Sequence, residues 1–173
     1  MKPQPCTVPL VAYTDGGCRG NPGIGGWGFI LIHIPTGTTL EQRGGAALTT
    51  NNRMEMSAAI HALKSLRRPG QTIEIRTDSK YLKDMAETWM KGWKKKGWKK
   101  KGGEIKNLDL VKELDGLLAQ HTVQWAWVRG HNGELGNERA DALTNVAMDC
   151  LAMGVSPEGT QRLDKPPFPV EMA

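Results

Sequence analysis

The sequence YTDGGCRGNPGIGGWG at residues 13–28 decides the fold, because an aspartate there precedes a long glycine-rich segment. The apolar and β-branched residues 10–15 predict a strand that ends at this aspartate, Asp15. Residues 16–28 are expected to form a loop, and residues 29–34 a second strand that stops at a Pro-Thr-Gly turn. Ligands of open α/β sheets gather at the carboxyl ends of strands, so Asp15 is a candidate site residue.

Outward from this segment, hydrophobic periodicity predicts the remaining elements. They are a strand at 38–48, a helix at 54–66, a strand at 72–78, helices at 79–89 and 108–118, a strand at 123–128 and a helix at 137–151. This order predicts a single α/β domain, in which helices cover both faces of a five-stranded mixed sheet. We expect the domain to span residues 1–154, followed by a flexible proline-rich tail at residues 155–173.

The positive charge of the chain is concentrated in one segment. Its 173 residues are 39% hydrophobic, enough for one sizeable core, and carry a formal net charge of +5. A run of lysines accounts for this excess: Lys91, Lys94, Lys95, Lys96, Lys99, Lys100 and Lys101. A basic lobe on a near-neutral body predicts a polyanionic partner rather than a membrane surface.

Cysteine usage and the N-terminal segment bear on the compartment. The three cysteines are widely spaced and include no CxxC pair, which disfavours a disulfide framework or a zinc site and fits a reducing cytoplasm. Prolines occur early, where a signal peptide needs an apolar stretch, and no apolar run is long enough to span a bilayer. We therefore expect a cytoplasmic protein without membrane insertion. Because no heptad seam is evident, a monomer is expected.

Three further acids occupy informative positions. Asp78 ends the fourth predicted strand, Glu55 lies on the apolar side of the first predicted helix, and Asp141 lies near the start of the last one. A carboxylate on a stripe that faces a sheet needs a partner to offset its burial. Taken singly, these acids and Asp15 also fit helix capping, a favourable helix dipole or a turn, so both interpretations stay open at this point.

Four stretches together resemble motifs of the bacterial type I ribonuclease H family. They are YTDGGCRGNPGIGGWG at 13–28, TTNNRMEMSAAIHAL at 49–63, RTDSKYL at 76–82 and WVRGHNGELGNERADALT at 127–144. The resemblance covers residues 10–150 in order and register, and implies a ribonuclease H-like fold with a basic protrusion near residues 89–102. It also implies four metal-binding carboxylates and a catalytic histidine, which fall on Asp15, Glu55, Asp78, Asp141 and His131.

The resemblance implies an endoribonuclease that hydrolyses the RNA strand of RNA–DNA hybrids and leaves 5′-phosphate and 3′-hydroxyl ends. Four converging carboxylates would repel one another unless divalent cations neutralised them, and Mg²⁺ prefers hard oxygen ligands. We expect two Mg²⁺ ions with substrate, replaceable by Mn²⁺, with Asp15 on both ions, Glu55 and Asp78 on one, and Asp141 on the other. His131 would transfer a proton to the departing 3′ oxygen or assist product release.

The resemblance also implies substrate contacts. The 2′-hydroxyls that distinguish RNA from DNA would be bound by amide side chains, those of Asn21, Asn51 and Asn52. Thr50 and Asn107 would form a pocket for a DNA phosphate, in which Leu48 replaces an arginine often found in the family. The basic protrusion would hold the DNA strand through Trp93, Lys94, Lys95, Lys96, Trp98 and Lys99.

Alternative functions make different demands on these residues. A non-catalytic hybrid-binding module would be expected to lack at least one of the four carboxylates, and all four are present. Another nuclease or strand-transfer enzyme of ribonuclease H-like fold would share the acids, but not the full set of asparagines, histidine and basic protrusion. A structural or interaction protein would leave the glycine-rich segment and the lysines unexplained.

Overall fold

The computed structural model of the protein describes residues 8–129 and 134–170. Its strands are β1 (Leu10–Arg19), β2 (Gly23–His33), β3 (Thr39–Thr49), β4 (Thr72–Thr77), β5 (Thr122–Trp127) and β6 (Gly159–Leu163). They form one sheet in the order β5-β4-β1-β2-β3-β6. The β1–β4 and β4–β5 pairs are parallel and the others are antiparallel, so the sheet is mixed, as the sequence predicts.

Helices cover both faces of this sheet. They are α1 (Asn51–Lys64), α2 (Lys80–Asp84), α3 (Met90–Lys95), α4 (Leu108–Leu118) and α5 (Leu135–Ala152), and a π-helical segment, Met85–Trp89, joins α2 to α3. The first four pack on one face and α5 packs on the other. Within the described ranges, no helix combines the length and apolar character needed to cross a membrane.

Each face of the sheet has its own hydrophobic cluster. The larger cluster joins Phe29 and Ile75 of the strands to Met56 of α1, and the smaller cluster joins Ile30 to Ala140 of α5. The neighbours Phe29 and Ile30 point to opposite faces, which is the alternation expected of a strand buried on both sides. The two clusters hold α1 and α5 against the same central strands.

The glycine-rich segment forms most of a long hairpin, so the loop predicted at residues 16–28 is wrong. β1 continues to Arg19 and β2 begins at Gly23, where the sequence predicted irregular backbone. Glycine is uncommon in strands, but here close packing requires it. A Cβ atom at Gly28 would lie 2.7 Å from the Leu143 Cβ atom, so the glycine lets α5 approach the sheet.

The C-terminal segment differs from the flexible tail that its prolines predicted. Gly159–Leu163 form β6, which pairs antiparallel with residues 39–43 of β3. Phe168 and Val170 pack against the smaller cluster, and the Phe168 ring meets the Tyr13 ring edge-on, at 6.1 Å between centroids. The sheet therefore has six strands instead of the predicted five. Most of β6 is exposed, so it lacks the apolar alternation by which a strand is identified from sequence.

The first prediction concerns Gly16, where α1 crosses β1. A Cβ atom there would lie 2.3 Å from the Glu55 nitrogen and from the Met54 carbonyl carbon. Gly16→Ala should lower the free energy of unfolding by about 1–3 kcal/mol, because backbone must move to relieve the overlap. Gly116→Ala is the matched control: nothing lies within 4 Å of its added Cβ, so it should stabilise α4 by about 0.5–1 kcal/mol. Denaturant unfolding measures both, and equal effects would contradict the close crossing.

Candidate active site

Asp15 and Asp78 lie just beyond the paired part of two neighbouring parallel strands, Asp15 within β1 and Asp78 directly after β4. β1 and β4 are in register as far as the pair Thr14 and Thr77, and each aspartate is the next residue of its chain segment. Convergence of the two acids requires that their strands be adjacent, and they are. The parallel pairing therefore places both carboxylates at the same end of the sheet.

The start of α1 brings Glu55 to this end of the sheet. The helix begins at Asn51, and the Thr50 hydroxyl caps it by accepting a hydrogen bond from the Arg53 N–H at 3.4 Å. Glu55 lies on the buried side of the helix, where the nearby Gly16 N–H favours the charged form of its carboxylate. The close crossing of α1 over β1 is thus what places Glu55 beside Asp15.

Asp15, Glu55 and Asp78 form a compact acidic cluster. One carboxylate oxygen of each lies within 4.8 Å of those of the other two. Asp15 and Glu55 are only 6% and 5% exposed. Burial, with repulsion from Asp78 and Asp141, raises the pKa of Asp15 to about 8. Burial also raises the pKa of Glu55 well above its usual range, and the neighbouring charges add to the shift.

Asp141 reaches the cluster from α5. Its carboxylate lies near that of Asp15, whose pKa it helps to raise. Thr144 Oγ1 connects this part of α5 to β1 by donating to the Asp15 carbonyl oxygen at 3.3 Å. Within α5, Asn145 Nδ2 donates to Asp141 Oδ2 at 3.2 Å and so orients the carboxylate. The structure therefore brings together all four acids that the sequence singled out.

The donor set of this cluster fits a divalent cation. Glu55 Oε2 is buried and has no hydrogen-bond partner among the described residues. A buried carboxylate oxygen without a partner is costly unless a positive charge compensates it. The cluster offers oxygen ligands alone, which suit hard cations such as Mg²⁺ and Mn²⁺. Its residues thus have the ligand chemistry of a metal site, and Glu55 Oε2 is an oxygen that a cation would compensate.

The last residue of β5 contacts the backbone of one of the acids. Trp127 ends the strand, is largely exposed, and donates a hydrogen bond from Nε1 to the Asp78 carbonyl oxygen at 3.1 Å. The Lys80 ammonium lies 5.4 Å from the centroid of the Trp127 ring. Sequence alone predicted neither residue as part of the site, because the strand pattern by itself accounts for Trp127. The predicted catalytic His131 lies outside the described residues and stays a prediction.

Two of the predicted ribose-binding asparagines meet at the start of α1. Asn21 Oδ1 accepts a hydrogen bond from the Asn51 N–H at 3.1 Å. Asn52 follows on the same exposed turn. Their amide groups are accessible close to the helix end that carries Glu55. Asn21 therefore also caps α1, which sequence alone did not indicate.

The predicted phosphate pocket joins the starts of α1 and α4. Thr50 precedes α1, and Asn107 precedes α4 in a left-handed conformation with φ of 59°. Arg53 connects them, because its Nη1 donates to Asn107 Oδ1 at 3.4 Å while its Nη2 donates to Asp109 Oδ2 at 2.8 Å. Sequence reasoning missed Arg53, since its partners lie far along the chain. Leu48 is 75% exposed and adds no cation to the pocket.

The basic protrusion presents lysines outward, supported by half-buried tryptophans. Trp93 and Trp98 are half-buried against the larger cluster, and the Trp98 N–H donates to the Trp93 carbonyl oxygen at 2.7 Å. Lys94 pairs with Asp115 at 3.0 Å. Three more of the predicted substrate-binding lysines are exposed: Lys95, Lys96 and Lys99. The tryptophans therefore anchor the protrusion, and the lysines supply its charge.

These features are those of a metal-dependent nucleic-acid hydrolase, and comparison with known proteins specifies the kind. Residues 8–149 match the family model described as RNase H. A ribonuclease H of Cupriavidus pinatubonensis is 50% identical over 145 residues, which cover 83% of this chain and 97% of that protein. The chain belongs to the RNase H family, which makes it a metal-dependent hydrolase.

Solved structures confirm the predicted ribonuclease H-like fold. The crystal structure of LC9-RNase H1, a type 1 RNase H with the type 2 active-site motif, matches with a TM-score of 0.75 at 32% identity, covering 85% of this chain and 75% of that chain. The structure of LC11-RNase H1 in complex with an RNA/DNA hybrid matches with a TM-score of 0.64 at 26% identity, covering 83% of this chain and 99% of that chain.

The second prediction is that the acidic cluster destabilises the metal-free protein as the pH rises. Folding raises the pKa of Asp15 from 3.8 to about 8, so in this pH range the folded state binds more protons than the unfolded state. The free energy of unfolding therefore falls with rising pH across this range. At the upper end of this pH range, Asp15→Asn should raise the free energy of unfolding by about 1–3 kcal/mol, because a buried charge is removed.

Denaturant unfolding in chelator, repeated across this pH range, measures the effect. Asp149→Asn is the matched control, since Asp149 is exposed and pairs with Arg19 at 2.6 Å on the surface. It should change stability by less than about 1 kcal/mol. A loss of stability in Asp15→Asn at high pH would contradict the assigned electrostatics.

Proposed function

We propose that Asp15, Glu55, Asp78 and Asp141 hold two Mg²⁺ ions when substrate is bound, and that the protein uses them to hydrolyse RNA within RNA–DNA hybrids. Cleavage is internal and leaves 5′-phosphate and 3′-hydroxyl ends, and Mn²⁺ substitutes for Mg²⁺. The observation that carries the proposal is the buried cluster in which three carboxylates lie within 4.8 Å of one another. Membership of the RNase H family and the hybrid bound to LC11-RNase H1 support the substrate.

The four acids have different roles in this proposal. Asp15 is central, because its carboxylate lies within 4.8 Å of those of Glu55 and Asp78 and near that of Asp141, so it would contact both ions. Glu55 and Asp78 would hold one ion and Asp141 the other. Bound divalent ions supply a water of lowered pKa and stabilise charge on the departing oxygen. Cation binding favours the charged forms of Asp15 and Glu55 and therefore lowers the pKa of both.

His131 moves a proton to the departing 3′ oxygen or assists product release. Its neighbourhood in sequence supports this role, because α5 begins a few residues later and carries Asp141. Histidine suits such a transfer because its pKa is near neutral pH.

The substrate lies across the exposed amides and the basic protrusion. Asn21, Asn51 and Asn52 contact 2′-hydroxyls of the RNA strand, and Thr50 with Asn107 binds a phosphate of the DNA strand. Arg53 keeps Asn107 in place through the contacts described above. Further DNA contacts come from the protrusion, through Trp93, Lys94, Lys95, Lys96, Trp98 and Lys99.

We propose that the protein acts as a monomer in the cytoplasm. Both faces of the sheet are covered by its own helices and C-terminal segment, which supports a monomer. The described cysteines, Cys18 and Cys150, are free thiols, as suits a reducing compartment.

The third prediction tests the acids. Asp15→Asn and Asp78→Asn should each slow hybrid cleavage by at least about 10³-fold, since several kcal/mol of transition-state stabilisation is lost. Binding of the hybrid in chelator should stay largely intact. His131→Ala should slow turnover less than either, and Asp149→Asn should leave it unchanged.

A gel assay measures this with hybrid, duplex RNA and duplex DNA, each in Mg²⁺ and in chelator. Retained cleavage in Asp15→Asn would contradict the site. Cleavage of duplex DNA would instead favour a nuclease of different specificity on the same fold.

The fourth prediction tests the protrusion by salt dependence. Replacing Lys95, Lys96 and Lys99 by Ala should weaken hybrid binding and reduce the slope of log Kd against log salt by up to about one unit per lysine, because fewer counterions are displaced. The matched control replaces the exposed cations Lys112, Arg162 and Lys165 by Ala, with the same change in net charge. Equal slopes for the two triple variants would show that only net charge matters.

A further inference from the structure

Tyr13 is the centre of a buried polar network that the proposed reaction does not itself use. It lies in β1 two residues before Asp15, is 3% exposed, and has polar partners on both sides of its hydroxyl. The Arg76 Nη1 group donates to this hydroxyl at 2.8 Å, and the hydroxyl donates to Glu134 Oε1 at 3.0 Å. Arg76 is 2% exposed, and its Nε donates to Glu74 Oε1 at 2.6 Å.

The same tyrosine supports the start of α5. Glu134 is the residue immediately before this helix, and its carbonyl oxygen accepts the Glu138 N–H at 2.9 Å. Gly136, in the first turn, lies so close to the Tyr13 ring that an added Cβ atom would be 2.4 Å from Cδ2. Ring and hydroxyl therefore hold the beginning of α5 through two different contacts, one of packing and one of hydrogen bonding.

Asp141 lies between two points where α5 is attached to β1. Tyr13 forms the first, and the Thr144 hydroxyl, bonded to the Asp15 carbonyl oxygen at 3.3 Å, forms the second. We propose that Tyr13, together with Arg76 and Glu134, positions Asp141 against Asp15 and so tunes the affinity of the site for divalent cations. This inference rests on the proposed function, in which Asp141 is a metal ligand.

Packing alone does not account for the network. A phenylalanine at position 13 would fill the same space against Gly136 and Phe168 without needing any partner. The tyrosine instead requires a buried guanidinium, and burying such a group often contributes little to stability compared with apolar packing. The hydrogen bonds of the network instead fix the position of Glu134, and hence the position of the first turn of α5.

The fifth prediction is that Tyr13→Phe weakens metal binding. Titration calorimetry of the metal-free protein with Mn²⁺ should show an affinity about tenfold lower than that of the unmodified protein, as is usual when a group that orients a metal ligand is lost. The Mg²⁺ concentration that gives half-maximal hybrid cleavage should rise by a similar factor. Tyr81→Phe, which removes the hydroxyl of the other tyrosine, is the matched control and should change neither quantity.

Two further variants separate positioning from a general loss of structure. Glu134→Gln keeps an oxygen that accepts the Tyr13 hydroxyl and should bind Mn²⁺ nearly as the unmodified protein does, whereas Glu134→Ala should resemble Tyr13→Phe. In an Asp141→Asn background, Tyr13→Phe should have no additional effect on Mn²⁺ affinity, because it acts through Asp141.

Unchanged Mn²⁺ affinity in Tyr13→Phe, or an equal loss with and without Asp141, would overturn the positioning role. If Asp141→Asn itself leaves Mn²⁺ binding unchanged, the proposed function of that acid fails instead. The two failures are therefore distinguishable in one set of titrations.

Discussion

Repulsion among buried carboxylates is the constraint on which the rest of the structure depends. Asp15 and Glu55 are held close to Asp78 in a region with little water, where their charged forms are disfavoured until a cation compensates them. A flexible chain would relieve this repulsion by moving the acids apart. β1 prevents such movement, because strands pair with it on both sides and helices pack on both faces. The hydrophobic clusters therefore stabilise an arrangement of carboxylates that is unfavourable by itself and that cation binding makes favourable.

The four acids are held from both faces of the sheet. Asp15 lies in β1 and Asp78 follows β4, and the backbones of these two strands are hydrogen-bonded to each other. Glu55 belongs to α1, whose backbone touches β1 at Gly16. Asp141 belongs to α5, whose backbone approaches β2 closely, since a Cβ atom at Gly26 would lie 2.6 Å from the Thr144 carbonyl oxygen. Specific polar contacts from Tyr13 and Thr144 add direction to this packing on both sides of Asp141.

Sequence reasoning predicted the features that depend on local pattern. The parallel strands that lead to Asp15 and Asp78 and the helix of Glu55 all have clear periodicity, and their motifs resemble one family in order. The hairpin through Gly16 was missed, because strand-like alternation disappears where glycine makes room for helices. Contacts between residues far apart in sequence were also missed, such as Arg53 with Asp109 and Tyr13 with Glu134. No local pattern indicates which of many possible partners a buried polar side chain will meet.

The short strand β6 has a consequence for how copies of the protein behave toward one another. Without it, residues 39–43 of β3 would present unpaired N–H and C=O groups on an otherwise regular strand. Such a sheet edge is a template for pairing with a strand of another molecule and hence for aggregation. β6 pairs with this edge of β3 and has only five residues, most of which are exposed and one of which is Arg162. A short, polar edge strand of this kind pairs poorly with strands of other molecules. The C-terminal segment therefore also protects the protein against intermolecular β-pairing.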